Sequence, residues 1–143
     1  MLDADVNERA RFKGNVFGAI VALLVQYGLG VGANLYATLP ADDRHKSLFP
    51  AFGAAISNGP AVVAAHAVFG TLLLFAAASA FARGLRFGRP LFAALAAAGL
   101  AAVVVAWISG ATFVGHMNDG ASLTMALTAG VAIFCYALIL VVA

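Results

Sequence analysis

Residues 61–82 read AVVAAHAVFGTLLLFAAASAFA. The stretch carries no formal charge. It is long enough to cross a bilayer as a helix, because ~20 residues at ~1.5 Å each span the ~30 Å hydrocarbon core. Its one interruption is His66. An ionisable side chain at membrane depth is costly and turns inward toward a partner. The stretch therefore sets both the solvent of the chain and the first question about its function.

Three further apolar stretches flank it, at 14–39, 91–113 and 121–143. The whole chain of 143 residues is 64% hydrophobic and 10% charged. Soluble domains carry about 25% charged residues, so this chain lacks the charge to cover a water-facing surface. Its mean hydropathy of +1.00 agrees. The expected fold is an all-α integral membrane protein, an antiparallel four-helix transmembrane bundle forming one domain over residues 1–143.

Gly14, Gly18 and Ala22 recur every four residues, as do Gly28 and Gly32. Small residues at this spacing let helices approach closely in lipid, where packing and not the hydrophobic effect holds them together. Gly30 and Asn34 lie beside them, within GVGANL. That run is glycine-rich, but inside a membrane helix it cannot form the strand-to-helix turn that cradles phosphate.

Residues 1–13 mix Asp3, Asp5 and Glu8 with Arg9, Arg11 and Lys13. They read as a surface helix or tail. The acidic residues argue against a transit peptide, and the following apolar run is too long for a signal-peptide core. Residues 40–60 carry Asp42, Asp43, Arg44, His45 and Lys46, then a less polar piece that suits a short interfacial helix with Phe49 and Phe52 against lipid. Ser57-Asn58-Gly59-Pro60 is a turn followed by a helix start. Arg83, Arg86 and Arg89 occupy the next connection, and Gly115–Gly120 the last.

Six Lys/Arg thus fall on one side of the predicted bundle and two on the other. The positive-inside rule then places both termini and the arginine connection in the cytoplasm. The expected location is a cell membrane, as a multi-pass protein of the bacterial inner membrane. The basic clusters are short and border apolar spans, so they read as topology determinants and not as a nucleic-acid surface. Cys135 is the single cysteine and has no partner for an internal disulfide.

Depth along the helices sharpens the reading. His66 lies about six residues inside the outer end of its span, ~9 Å along the axis. His116 follows Pro90 by ~39 Å of helix, which carries it to the outer interface. Asn34 falls near the same boundary, ~30 Å from Gly14. Ser109 and Thr112 share a helical face with His116, and Ser122, Thr124 and Thr128 begin the last span. The polar residues therefore gather in the outer half. Gln26, Tyr27 and Thr71 are the polar groups nearest the middle.

Three functions fit this asymmetry. The first is a b-type haem near the outer face, with His66 and His116 as axial ligands from two helices, serving electron transfer or gas binding. Gly70, one turn below His66, would leave room for a flat macrocycle, and Asn34 and Thr112 would neighbour it. Met117 is an alternative axial ligand. With no second ligand pair in the cytoplasmic half, one such haem makes no relay across the membrane. The second is a divalent metal at the outer face, held by His66, His116 and His45 with Asp42, Asp43 or Asp119, since imidazole suits zinc, copper, iron and nickel. The third has no cofactor: an accessory or assembly subunit, or a homo-oligomer, in which His66 hydrogen-bonds Asn34, Ser109 or Thr112. The lipid bilayer is the common partner of all three.

Overall fold

The computed structural model describes residues 2–38, 45–116 and 118–142, with side chains from Asn7 onward. Among these residues it is all-helical, with five helices in the order α1 (Leu2–Tyr36), α2 (Leu48–Ser57), α3 (Ala61–Arg86), α4 (Pro90–His116) and α5 (Asp119–Val142). Four of them are long and apolar enough to cross a membrane: Asn7–Tyr36, Ala61–Arg86, Pro90–His116 and Asp119–Val142.

The helices outrun the apolar stretches. The expected surface segment is continuous with α1. The expected arginine connection is helical through Arg86, and the true turn is the short piece at residues 87–89. Charged residues do not end a helix; lost backbone bonds do. Here Phe87 still donates to the Arg83 carbonyl at 3.2 Å, and Gly88 takes a φ of +65°. That left-handed conformation suits glycine because it has no Cβ to clash. Pro90, with no N–H to lose, opens α4.

α1 packs against α3 and α5, and α4 packs against the same two helices, so the four spans form a ring. The main core lies toward the basic end. Phe12, Val16, Ala19 and Leu23 of α1 meet Leu73, Ala77 and Ala80 of α3, Phe92 and Ala96 of α4, and Ala132, Tyr136 and Ile139 of α5. Half of these are alanine or valine, as close helix approach in lipid requires. Phe12, Phe87 and Phe92 close that end, with ring centroids 5.2–6.0 Å apart. The outer surface is apolar: Phe75 is 70% exposed, Phe134 63% and Leu127 62%. Such a surface is stable in lipid and not in water.

The opposite end is built differently. A smaller cluster joins Ala51 and Ala55 of α2, Val63 of α3 and Val114 of α4, with Ala33 and Ala37 of α1 beside it. No residue of α5 belongs to it, and the buried residues of α5 begin only at Ala132. α2 caps this end against α3 and α4. Its two aromatic residues divide: Phe49 is 73% exposed, as expected for an interfacial helix, but Phe52 turns inward and packs on Trp107 at 5.1 Å. A ten-residue helix has two faces, and Ala51, Ala54 and Ala55 bury the one that carries Phe52.

Candidate functional site: a cavity beneath the capping helix

Where α5 falls away from the core, the bundle encloses a cavity of about 370 Å³. This is within the ~300–1,000 Å³ range of small-molecule sites. Its deep wall is Gln26, Gly30, His66, Gly70 and Trp107, and Phe52 of α2 closes the top. Tyr27, Val31 and Asn34 of α1 line it opposite Ser122, Met125 and Ala126 of α5. Tyr27, Val31 and Asn34 are also exposed on the outer surface. The cavity therefore opens sideways between α1 and α5. Among the described residues no Asp, Glu, Lys or Arg lines it.

The deep wall is held by a reciprocal fit of two glycines. The His66 imidazole lies against Gly30, where a Cβ would stand 2.9 Å from Cε1. The Gln26 amide lies against Gly70, where a Cβ would stand 2.8 Å from Nε2. Gln26 and Gly30 share a face of α1 by their four-residue spacing, and His66 and Gly70 share a face of α3 in the same way. Each glycine thus makes room for the polar side chain of the other helix.

Through that gap Gln26 Nε2 donates to the His66 carbonyl at 2.9 Å and reaches His66 Nε2 at 3.3 Å. An amide nitrogen only donates, so a hydrogen bond at that contact makes His66 Nε2 the acceptor and assigns the imidazole proton to Nδ1. Gln26 Oε1 and His66 Nδ1 then remain, both buried and both without a partner among the described residues. Beside them Trp107 Nε1 donates to Thr71 Oγ1 at 3.1 Å, and Thr71 donates on to the Ala67 carbonyl at 3.0 Å.

His66, Gly70 and Asn34 all line the cavity; His116 and Thr112 do not. The His116 side chain is exposed, with Nδ1 3.3 Å from the Thr112 carbonyl of its own helix. Thr112 donates to the Ile108 carbonyl at 2.9 Å. Thr124 and Thr128 likewise donate to carbonyls one turn back, at 2.8 Å each. These hydroxyls satisfy themselves within their helices, so the half of the bundle that α2 caps is less polar than its composition suggests. His45 is placed by its N–H on the Gly115 carbonyl at 2.7 Å. Asp42, Asp43 and Met117 lie outside the described residues. Among the described residues no three His, Cys, Asp or Glu side chains come together.

Gln26 is the site residue that depth could have supplied. It follows Gly14 by twelve residues, ~18 Å along the axis, while His66 sits ~21 Å from the same side of a ~30 Å core. Asn34, taken as a partner, is ~9 Å farther out. The missing signal was in the glycines: Gly30 and Gly70 each stand one turn from the polar residue of their own helix.

Four helices long and apolar enough to cross a membrane, with an apolar outer surface, mark a multi-pass α-helical membrane protein whose cavity opens between α1 and α5. No protein-family model, curated protein or solved structure matches the chain.

Proposed function

We propose that this protein binds a small, neutral, lipid-soluble ligand in the cavity, with its polar head against His66 and Gln26. The observation that carries the reading is the unpaired donor and acceptor, His66 Nδ1–H and Gln26 Oε1, set in a lining that is mostly apolar and, among the described residues, uncharged. A buried polar group without a partner costs about 1–3 kcal/mol. A hydroxyl that accepts from one and donates to the other removes that cost. A charged head group finds no counter-ion among the described residues of the lining. Both atoms are covered in the resting packing, so binding turns the imidazole or the amide toward the cavity. The opening between α1 and α5 supplies the path from lipid.

Trp107 is the only tryptophan and lines the cavity, so its fluorescence reads occupancy. A brominated fatty alcohol is expected to quench it saturably in nanodiscs, and His66→Leu to weaken that quenching about tenfold, as for loss of one or two buried hydrogen bonds. Quenching that rises linearly and equally in both proteins would sink the reading.

A b-type haem is the second reading, favoured by the unpartnered imidazole nitrogen of His66. In its bis-histidine form His116 has to turn away from Thr112 and enter the cavity. Met125, whose thioether packs over Gly110 in the cavity wall, is an axial candidate already inside it. In either form the Gln26 amide, which fills the clearance over Gly70, has to move. A Soret band in the purified protein, lost in His66→Ala, would select this reading.

Orientation follows the basic residues, with both termini and the Arg86 end in the cytoplasm and α2 outside, in a bacterial inner membrane. In a Cys135→Ala background, Ser47→Cys is expected to react with an impermeant maleimide on intact cells, and Arg86→Cys only after lysis. The reverse pattern would invert the bundle.

A further inference from the structure

At the opposite end from the cavity, a polar crevice of about 460 Å³ opens between α1 and α3. It is lined by Glu8, Arg11 and Phe12 of α1, by Ser79, Ala82, Arg83 and Arg86 of α3, and by Phe87 of the following turn. Basic residues at a membrane surface are what orientation requires. The crevice adds two features that orientation does not require.

The first is unspent charge. Arg11, Arg83 and Arg86 are exposed, and none of their guanidinium groups makes an ion pair or hydrogen bond to any described residue. With Glu8 they leave a net charge of two positive units in one concavity. Arg89 is different: its guanidinium lies over the Phe92 ring at 5.5 Å, outside the crevice. The second feature is the floor. The half-buried Phe87 ring, held at 5.2 Å against the buried Phe12, offers an apolar surface beneath the arginines.

We propose that this crevice binds the phosphodiester head group of an anionic phospholipid, with a preference for a lipid that carries two phosphodiesters. Guanidinium groups take phosphate oxygens in a forked, charge-assisted geometry that a quaternary ammonium head cannot use. Basic pockets between spanning helices at the cytoplasmic face suit such head groups. The acyl chains then lie along the exposed apolar faces of α1 and α3, continuous with the Phe87 ring. The ligand chemistry is shared with free phosphate, but the aromatic floor and the position at the ends of two spans favour a lipid.

The test is native mass spectrometry of the full chain in detergent, titrated separately with cardiolipin, phosphatidylglycerol, phosphatidylcholine and inorganic phosphate. Retention is expected to fall in the order cardiolipin, phosphatidylglycerol, phosphatidylcholine. Arg83→Gln and Arg86→Gln are each expected to weaken cardiolipin about fivefold, from the usual contribution of one basic side chain near an anionic surface. Arg89→Gln removes the same charge from outside the crevice and is expected to leave retention unchanged. Equal losses in Arg89→Gln and Arg86→Gln would overturn the site in favour of diffuse attraction. Phosphatidylcholine binding as well as cardiolipin, or inorganic phosphate binding as tightly as the lipids, would overturn the lipid assignment. All three arginines substituted here are exposed, so the fold does not depend on them.

Discussion

Tyr136→Phe is expected to hold or raise the stability of the bundle, by up to about 1 kcal/mol, while Tyr136→Ala lowers it by about 3 kcal/mol. Tyr136 is fully buried at the centre of the main core, and its hydroxyl has no partner among the described residues. A hydroxyl left unpaired there opposes folding, so its removal relieves a cost. Removal of the ring is another matter. In lipid the transfer of apolar area contributes little, because the unfolded spans are already solvated by chains. The loss is the void and its missing dispersion contacts. The ring lies against Gly99 of α4, where a Cβ would stand 2.8 Å from Cζ. Gly99→Ala is accordingly expected to cost about 1–3 kcal/mol alone. In a Tyr136→Ala background the same substitution should cost nothing measurable, since the atom it strikes is gone. Denaturation of the purified protein by sodium dodecyl sulfate in bicelles gives all four corners of this cycle. Additive losses would mean that the two positions do not meet in the membrane.

The four spans were legible because hydropathy over twenty residues is a property of composition, and lipid imposes it on every span. The extent of the helices was not. Arg83 and Arg86 looked like a connection because they are charged, yet a helix at a membrane surface carries charge without breaking. Depth was legible in part: of His66, Asn34 and His116, expected at one level, the first two line the cavity, beside Gln26, which was placed nearer the middle. Rotation about the helix axis was not. Residue counting puts His116 and Asn34 near the outer boundary, but it does not say that one turns to the exterior and the other to the cavity mouth. Phe52 shows the same limit on a short helix. Hydroxyl count misled in a third way, because Thr112, Thr124 and Thr128 reach their own backbone before they reach any neighbour. The cavity itself has no sequence signal of its own. It arises because α5 carries its buried residues only from Ala132 onward.

Gly30→Leu is expected to abolish ligand binding and to cost about 1–3 kcal/mol of stability, the range for overpacking a formed interface. The larger side chain has nowhere to go but the space the imidazole holds. It drives His66 off Gly30, breaks both contacts from Gln26 and fills part of the cavity. Gly70→Leu should act in the same way from the other helix, through Gln26. Because the fit is reciprocal, the effects must couple. In a His66→Ala background the seat at Gly30 is empty, and Gly30→Ala should be neutral, where in the wild type its Cβ would stand 2.9 Å from the ring. The two glycines also separate structure from binding. Gln26→Leu removes the amide and its unpartnered oxygen, and leaves Gly30 and the ring seat intact. If the pair serves only to join α1 to α3, Gln26→Leu should lose about 0.6 kcal/mol, the usual worth of one interhelical hydrogen bond. The cavity would then quench Trp107 as before. If the pair is the polar anchor of a ligand, stability falls by the same small amount but saturable quenching is lost. The decisive measurement is therefore the ratio of the two effects in one variant, read on the same sample by denaturation and by fluorescence.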